Sequence, residues 1–151
     1  MADCIMNRAD AGALLNRIAN QPEVLAGIAP GYLAIDIAAF LDKPSNLMLG
    51  DERGVVLFSF LGDSTYQMDY LLTSSLRGPD ALRAIKRAIA ALFTHRQAHA
   101  IIGQTPRDNR PARAMNRALG GRPYGVSVDS QGRHCIDYVL ERATWVRLSG
   151  V

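Results

Sequence analysis

The chain has 151 residues, 48% of them apolar and 21% charged, with 13 Gly, 7 Pro, 2 Cys and a formal net charge of +3. That length predicts a single domain over residues 1–151, large enough to bury a core without a disulfide or metal staple. The composition excludes disorder, collagen and disulfide scaffolds, and charges or turn residues interrupt every apolar run well short of the ~18 residues of a membrane span.

Met1-Ala2-Asp3-Cys4 places an acid where a secretory leader carries bases, so the expected location is the cytoplasm. Cys4 and Cys135 fit no ligand or redox spacing and are expected as free thiols, with no metal site. Asp10 to Ala19 has helical spacing, with Asp10 as N-cap. Gln21-Pro22-Glu23-Val24-Leu25 starts a second short helix. Gly31 to Leu41 is apolar without a clear period. Three strands follow as an antiparallel meander: Asn46 to Gly50, Val55 to Leu61 and Thr65 to Thr73, separated by turns at 51–54 and 62–64.

Gly78-Pro79-Asp80 opens the clearest helix, with Leu82, Ile85, Ile89 and Leu92 as its apolar stripe and an end near His95-Arg96. Ala98 to Gly103 reads as a buried strand, parallel to its predecessor because the crossover has helical length. His99 is expected there as a core residue. Asp108 to Leu119 is a helix stopped by Gly120-Gly121. Strands at Tyr124 to Val128 and His134 to Leu140, hinged at 129–132, close the chain.

Charge is distributed unevenly. Residues 1–76 hold 4 basic and 9 acidic side chains, residues 77–122 hold 10 basic and 2 acidic, and 15 of the 17 basic residues are Arg. Such a block suits phosphate, because the guanidinium fork binds oxyanions bidentately. It contains no Tyr or Trp to stack on bases, which argues against nucleic acid as the partner.

Two strand-to-helix junctions can carry chemistry. In the first, 71–81, a glycine loop leads into a helix N-terminus and offers N–H donors to an anion. In the second, 101–121, a buried strand meets a loop and then Asn109, which can cap the helix or bind a ligand amide.

Together these junctions resemble the GNAT N-acetyltransferase superfamily. Arg77-Gly78 before a helix is similar to the end of that family's acetyl-CoA pyrophosphate loop. Thr105-Pro106-Arg107-Asp108-Asn109-Arg110-Pro111-Ala112, with Leu119-Gly120, is similar to its later signature. The resemblance covers about residues 20–145, and Asn109-Arg110-x-Ala112 with Trp145 most resembles small bacteriophage and prophage members. It implies an α/β fold: a mostly antiparallel central sheet with one parallel, splayed pair, flanked by helices.

The resemblance also implies acetyl-CoA as co-substrate. Leu71, Leu72 and Thr73 would pair with pantetheine, and amides around Arg77, Gly78, Asp80 and Ala81 would hold the pyrophosphate. Asn109, beside Ala112, would meet the pantetheine arm, and Arg110 or Arg113 would reach CoA phosphates. Asp69 is the candidate base, and Tyr70, Tyr124 and Tyr138 are candidate acids, each also readable as buried packing. Two departures stand out. The loop holds a single glycine, and Asn116 occupies the position where the family often places a Tyr acid. The expected activity is acetyl transfer to a primary amine, on a small molecule or on a protein lysine or N-terminus. The alternative is a catalytically degenerate, partner-binding protein on the same fold, and a homodimer is compatible with either.

Overall fold

Apolar stripes and two-residue turns set the order of elements in the computed structural model, which describes residues 8–149. Two short helices, α1 (Arg8–Ala19) and α2 (Pro22–Ile28), precede a 3-10 turn at Ala38–Asp42. Strands β1 (Leu47–Asp51), β2 (Gly54–Gly62) and β3 (Thr65–Leu72) lead to the long helix α3 (Gly78–His95). Then come β4 (Ala100–Pro106), α4 (Arg110–Ala118), β5 (Arg122–Val128), β6 (His134–Glu141) and α5 (Arg142–Ser149).

The strands form one sheet in the order β1-β2-β3-β4-β6-β5. Asp63 and Ser64 adopt φ of 49° and 57°, the paired left-handed geometry of a tight hairpin turn that joins β2 to β3 antiparallel. Among the described residues only β3 and β4 run parallel, as the crossover through α3 requires. Their ladder covers Thr65–Gln67 against Ala100–Ile102 and ends there, although β3 continues to Leu72 and β4 to Pro106. By contrast, β4 pairs with β6 along its whole length, Ala100↔Glu141 to Pro106↔Cys135. This is the mixed, mostly antiparallel sheet with one parallel pair.

The chain divides into two compact units. The first comprises residues up to Ser59 with Asp69–Ala88, and the second comprises Phe60–Met68 with the chain from Ile89 onward. In the first unit, Leu14, Leu15, Ile18 and Ala19 of α1 bury against Val24, Val55, Leu57 and Leu71. The segment 31–41 forms no strand, and side chains satisfy part of its backbone. Asn20 brackets Ile35, donating to its carbonyl and accepting from its N–H, both at 2.8 Å. Asn16 Oδ1 accepts from Ile37 N at 2.8 Å. In the second unit Ile89, Leu92, Phe93, Ile101, Leu119, Tyr138 and Leu140 are buried.

Several expectations need correction. α1 already includes Arg8, so Asp10 lies in its first turn, where it complements the helix dipole, and is not the N-cap. His99 is exposed and precedes β4, because its backbone is used instead: its N–H donates to Ser64 O and its carbonyl accepts from Arg142 N. Tyr124 is exposed, since β5 is an edge strand with almost every residue open to solvent. Helix α5, unforeseen, follows β6 directly. Trp145 packs on Phe93 with ring centroids 6.3 Å apart, and Arg142 lies over the same ring and donates to Phe93 O. Cys135 is buried and free, and burial pushes its thiol pKa up; Cys4 lies outside the described residues. Among the described residues no helix is long and apolar enough to cross a membrane.

Candidate functional site

Asp69, Leu71, Leu72, Thr73, Arg77, Gly78, Asp80 and Ala81 all fall in the first unit, and Asn109, Arg110, Ala112 and Arg113 in the second. In the first unit, β3 ends in buried Leu71 and Leu72, and Thr73 just after it is buried too. Thr73 is clamped: its N–H and its hydroxyl both donate to Arg53 O, at 2.9 and 2.7 Å, and its Oγ1 lies 2.8 Å from Ser75 Oγ. Leu76, 3% exposed, plugs the loop into the core.

Arg77 and Gly78 then emerge into solvent. Gly78 has φ of +60°, and no atom lies within 4 Å of where a Cβ would be. That backbone suits glycine and leaves open space over the start of α3. Two features reduce the donors on offer. Pro79 has no N–H, and Ser74 N already donates to Glu23 Oε1 at 3.2 Å. Glu23's own backbone N–H, the Ser74 amide and the nearby Arg77 together hold the Glu23 carboxyl below its ordinary pKa. Asp80, in the first turn of α3, pairs with Arg83. Ala81 is buried. Asp69 is an exposed strand residue, whereas burial pushes the neighbouring Tyr70 up to about 12, so it keeps its proton at neutral pH.

In the second unit Asn109 caps α4, its side chain accepting from Ala112 N at 3.2 Å. Asn116 is buried and donates from Nδ2 to Thr105 Oγ1 at 2.9 Å. Asn116 is thus a structural tie between α4 and β4. Arg113 Nη1 donates to Arg107 O at 3.0 Å, while its Nε is buried with no partner. Tyr138 is buried as packing. In the second unit, the exposed Arg107 and Arg110 and the orphaned Arg113 donor suit a ligand that carries phosphates.

Sequence reasoning missed several residues. Glu23 reaches Ser74 across 51 positions of sequence, a contact that no local pattern announces. Gln104 Nε2 donates to Ser127 Oγ, which donates to Asp137 Oδ1, both at 2.8 Å. Only the strand register brings those three together. Desolvation and the Asp137 charge raise the Tyr124 pKa.

Comparison with solved structures decides the architecture. The aminoglycoside acetyltransferase AAC(6')-Ib, solved with coenzyme A and kanamycin, matches with a TM-score of 0.74 at 18% identity, covering 95% of this chain and 96% of that one. The fold is that of the N-acetyltransferases. Ribosomal-protein-S5-alanine acetyltransferase from Vibrio fischeri matches with a TM-score of 0.70 at 15% identity, covering 93% of this chain and 92% of that one. The spermidine/spermine N-acetyltransferase SpeG from Vibrio cholerae matches with a TM-score of 0.58 at 16% identity, covering 64% of this chain and 60% of that one. No protein-family model and no curated protein sequence matches.

Proposed function

We infer that the protein is an N-acetyltransferase moving an acetyl group directly from acetyl-CoA to a primary amine. The observation that carries this reading is the short parallel ladder, which covers only Thr65–Gln67 of β3 against Ala100–Ile102 of β4. Leu71, Leu72 and Thr73 are assigned to pantetheine. Arg77, Gly78, Asp80 and Ala81 are assigned to the pyrophosphate. Asn109 and Ala112 are assigned to the pantetheine arm, and Arg110 and Arg113 to CoA phosphates. Structures of similar fold were solved with coenzyme A or acetyl-CoA, which supports the assignment.

In this reading Asp69 takes the proton of the acceptor amine, directly or through water. The amine nitrogen bonds to the thioester carbonyl carbon, the C–S bond breaks, and CoA leaves as the thiolate, which takes up a proton from water. Buried Asn116 cannot serve as acid, since an amide does not release a proton at accessible pH. The acidic balance of residues 1–76 favours a cationic acceptor, either a small amine or a protein lysine or N-terminus. A cytoplasmic location belongs to the same reading.

Calorimetric titration with acetyl-CoA and desulfo-CoA tests cofactor binding, and absence of heat at millimolar ligand overturns it. Gly78→Asn tolerates the left-handed backbone, whereas β-branched Gly78→Val does not. Loss of CoA affinity in the folded Asn variant therefore reports obstruction and not strain. Intersecting initial-rate lines are expected for direct transfer; parallel lines with a trapped acetyl-enzyme contradict it.

A further inference from the structure

In the second unit the segment from β4 to α4 faces the β5–β6 hairpin across a groove of about 550 Å³. Its walls carry four guanidiniums, those of Arg107, Arg110, Arg113 and Arg133, together with His134 and a single carboxylate, Asp108. We propose that this groove is an oxyanion site that takes the phosphate group of a ligand.

Three observations support the proposal beyond charge. First, the walls are tied. Arg107 N donates to His134 O at 2.9 Å, so the two segments hold a fixed spacing. Second, two of the arginines are oriented. Asp129 Oδ2 accepts from Arg133 Nε at 2.7 Å, while Asp129 Oδ1 accepts from Gln131 N and Arg133 N at 2.9 Å. Those backbone donors hold the Asp129 carboxyl below its ordinary pKa and keep it charged. Arg113 is fixed through its Nη1 bond to Arg107 O. Third, Arg113 Nε is buried and has no partner. Buried donors in folded proteins nearly always have an acceptor, and an unmet one points to an absent ligand or water.

The α4 backbone contributes little directly. Ala112 N and Arg113 N are taken by Asn109, Arg110 N by Asp108 O, and Pro111 has none. Recognition therefore falls to the guanidinium forks, which match tetrahedral oxyanions. No acid lies in the first turn of α4, so the positive end of its dipole adds to their field. The phosphate can belong to CoA itself, in which case the site extends the acetyl-CoA reading, or to a separate phosphorylated molecule.

The test is titration of the isotope-labelled full chain with inorganic pyrophosphate at constant ionic strength, followed by amide chemical shifts. Saturable shifts are expected at 107–113 and 132–134, with half-saturation at or below about 1 mM. The double variant Arg107→Gln, Arg133→Gln should weaken binding at least about tenfold while keeping the wild-type melting temperature within a few degrees. Arg122→Gln, outside the groove and paired with Glu141, should leave affinity unchanged.

No saturable shift, or binding indifferent to the double variant, overturns the proposal. So does an equal loss in Arg122→Gln, because it shows only diffuse charge. The source of the phosphate follows from CoA and its 3′-dephospho form. Displacement of pyrophosphate by CoA, with the dephospho form weaker, assigns it to CoA. Simultaneous binding of CoA and pyrophosphate assigns it to another molecule. Pyrophosphate binding without any CoA binding upholds the groove and overturns the acetyl-CoA reading alone.

Discussion

Two strand-to-helix crossings, from β3 to α3 and from β4 to α4, solve the same local problem in opposite ways. The first crossing is anchored by an apolar plug, Leu76, and carries acids: Glu23 occupies the Ser74 amide and Asp80 sits in the first turn of α3. The second is anchored by a buried polar pair, Asn116 to Thr105, and has no first-turn acid but a ring of arginines. The first offers an anion backbone and a competing carboxylate, and the second offers side-chain forks. Strand-loop-helix geometry alone therefore does not fix how a phosphate is received; the charges placed around it do.

Removing the anchors breaks the comparison most severely. Leu76→Ala empties a site in the first unit's core and should cost about 2–5 kcal/mol, read as a lowered denaturant midpoint. A cost below the lower figure would mean that the loop is held by the Thr73 clamp and not by the plug.

At the second crossing, Asn116→Ala strands the Thr105 hydroxyl in a buried position, with an expected cost of about 1–3 kcal/mol. Replacing both partners, Asn116→Leu with Thr105→Val, should recover most of that loss, because neither polar group is then orphaned. A double variant as unstable as the single would show that Asn116 acts through packing and not through its hydrogen bond.

The smallest effect sharpens the contrast in charge. The Glu23 pKa is lowered in the folded protein, so its stabilisation is fully present above the ordinary carboxylate value near 4.3. It is lost as pH falls through the lower folded value. Glu23→Ala should therefore trail the wild type slightly in melting temperature at neutral pH and converge with it in acid. The same change frees Ser74 N and should tighten pyrophosphate at 74–81. A difference in melting temperature that is constant with pH would show that the carboxylate contributes no linked charge at this loop.

Much of the fold was legible because its signals are local. The stripe of Ile85, Ile89 and Leu92, the Gly62 to Thr65 hairpin, the β-branched and aromatic run at 55–61 and the Asn109 cap each depend on neighbours within one or two turns of chain. The candidate site was legible only in part. Gly78 and Asn109 announce themselves by residue type, but Arg107, Arg133 and His134 look like unrelated surface cations until the hairpin is folded beside α4. Glu23 gives no sign in sequence of its partner at Ser74. His99 misled because apolar flanks imply burial, whereas that residue lies in the connection just before β4.

Local sequence therefore determined the order of helices and strands, the helix start at Gly78, the cap at Asn109 and the uneven spread of charge. Periodicity, capping and turn chemistry act over a few residues and need no partner. Tertiary structure alone decided where the parallel ladder stops, which amide Glu23 takes, and which arginines share a groove. Those outcomes depend on strand register and on pairings between residues tens of positions apart. The free energy that selects them comes from burying apolar side chains and satisfying donors across the fold, and no stretch of sequence carries that information by itself.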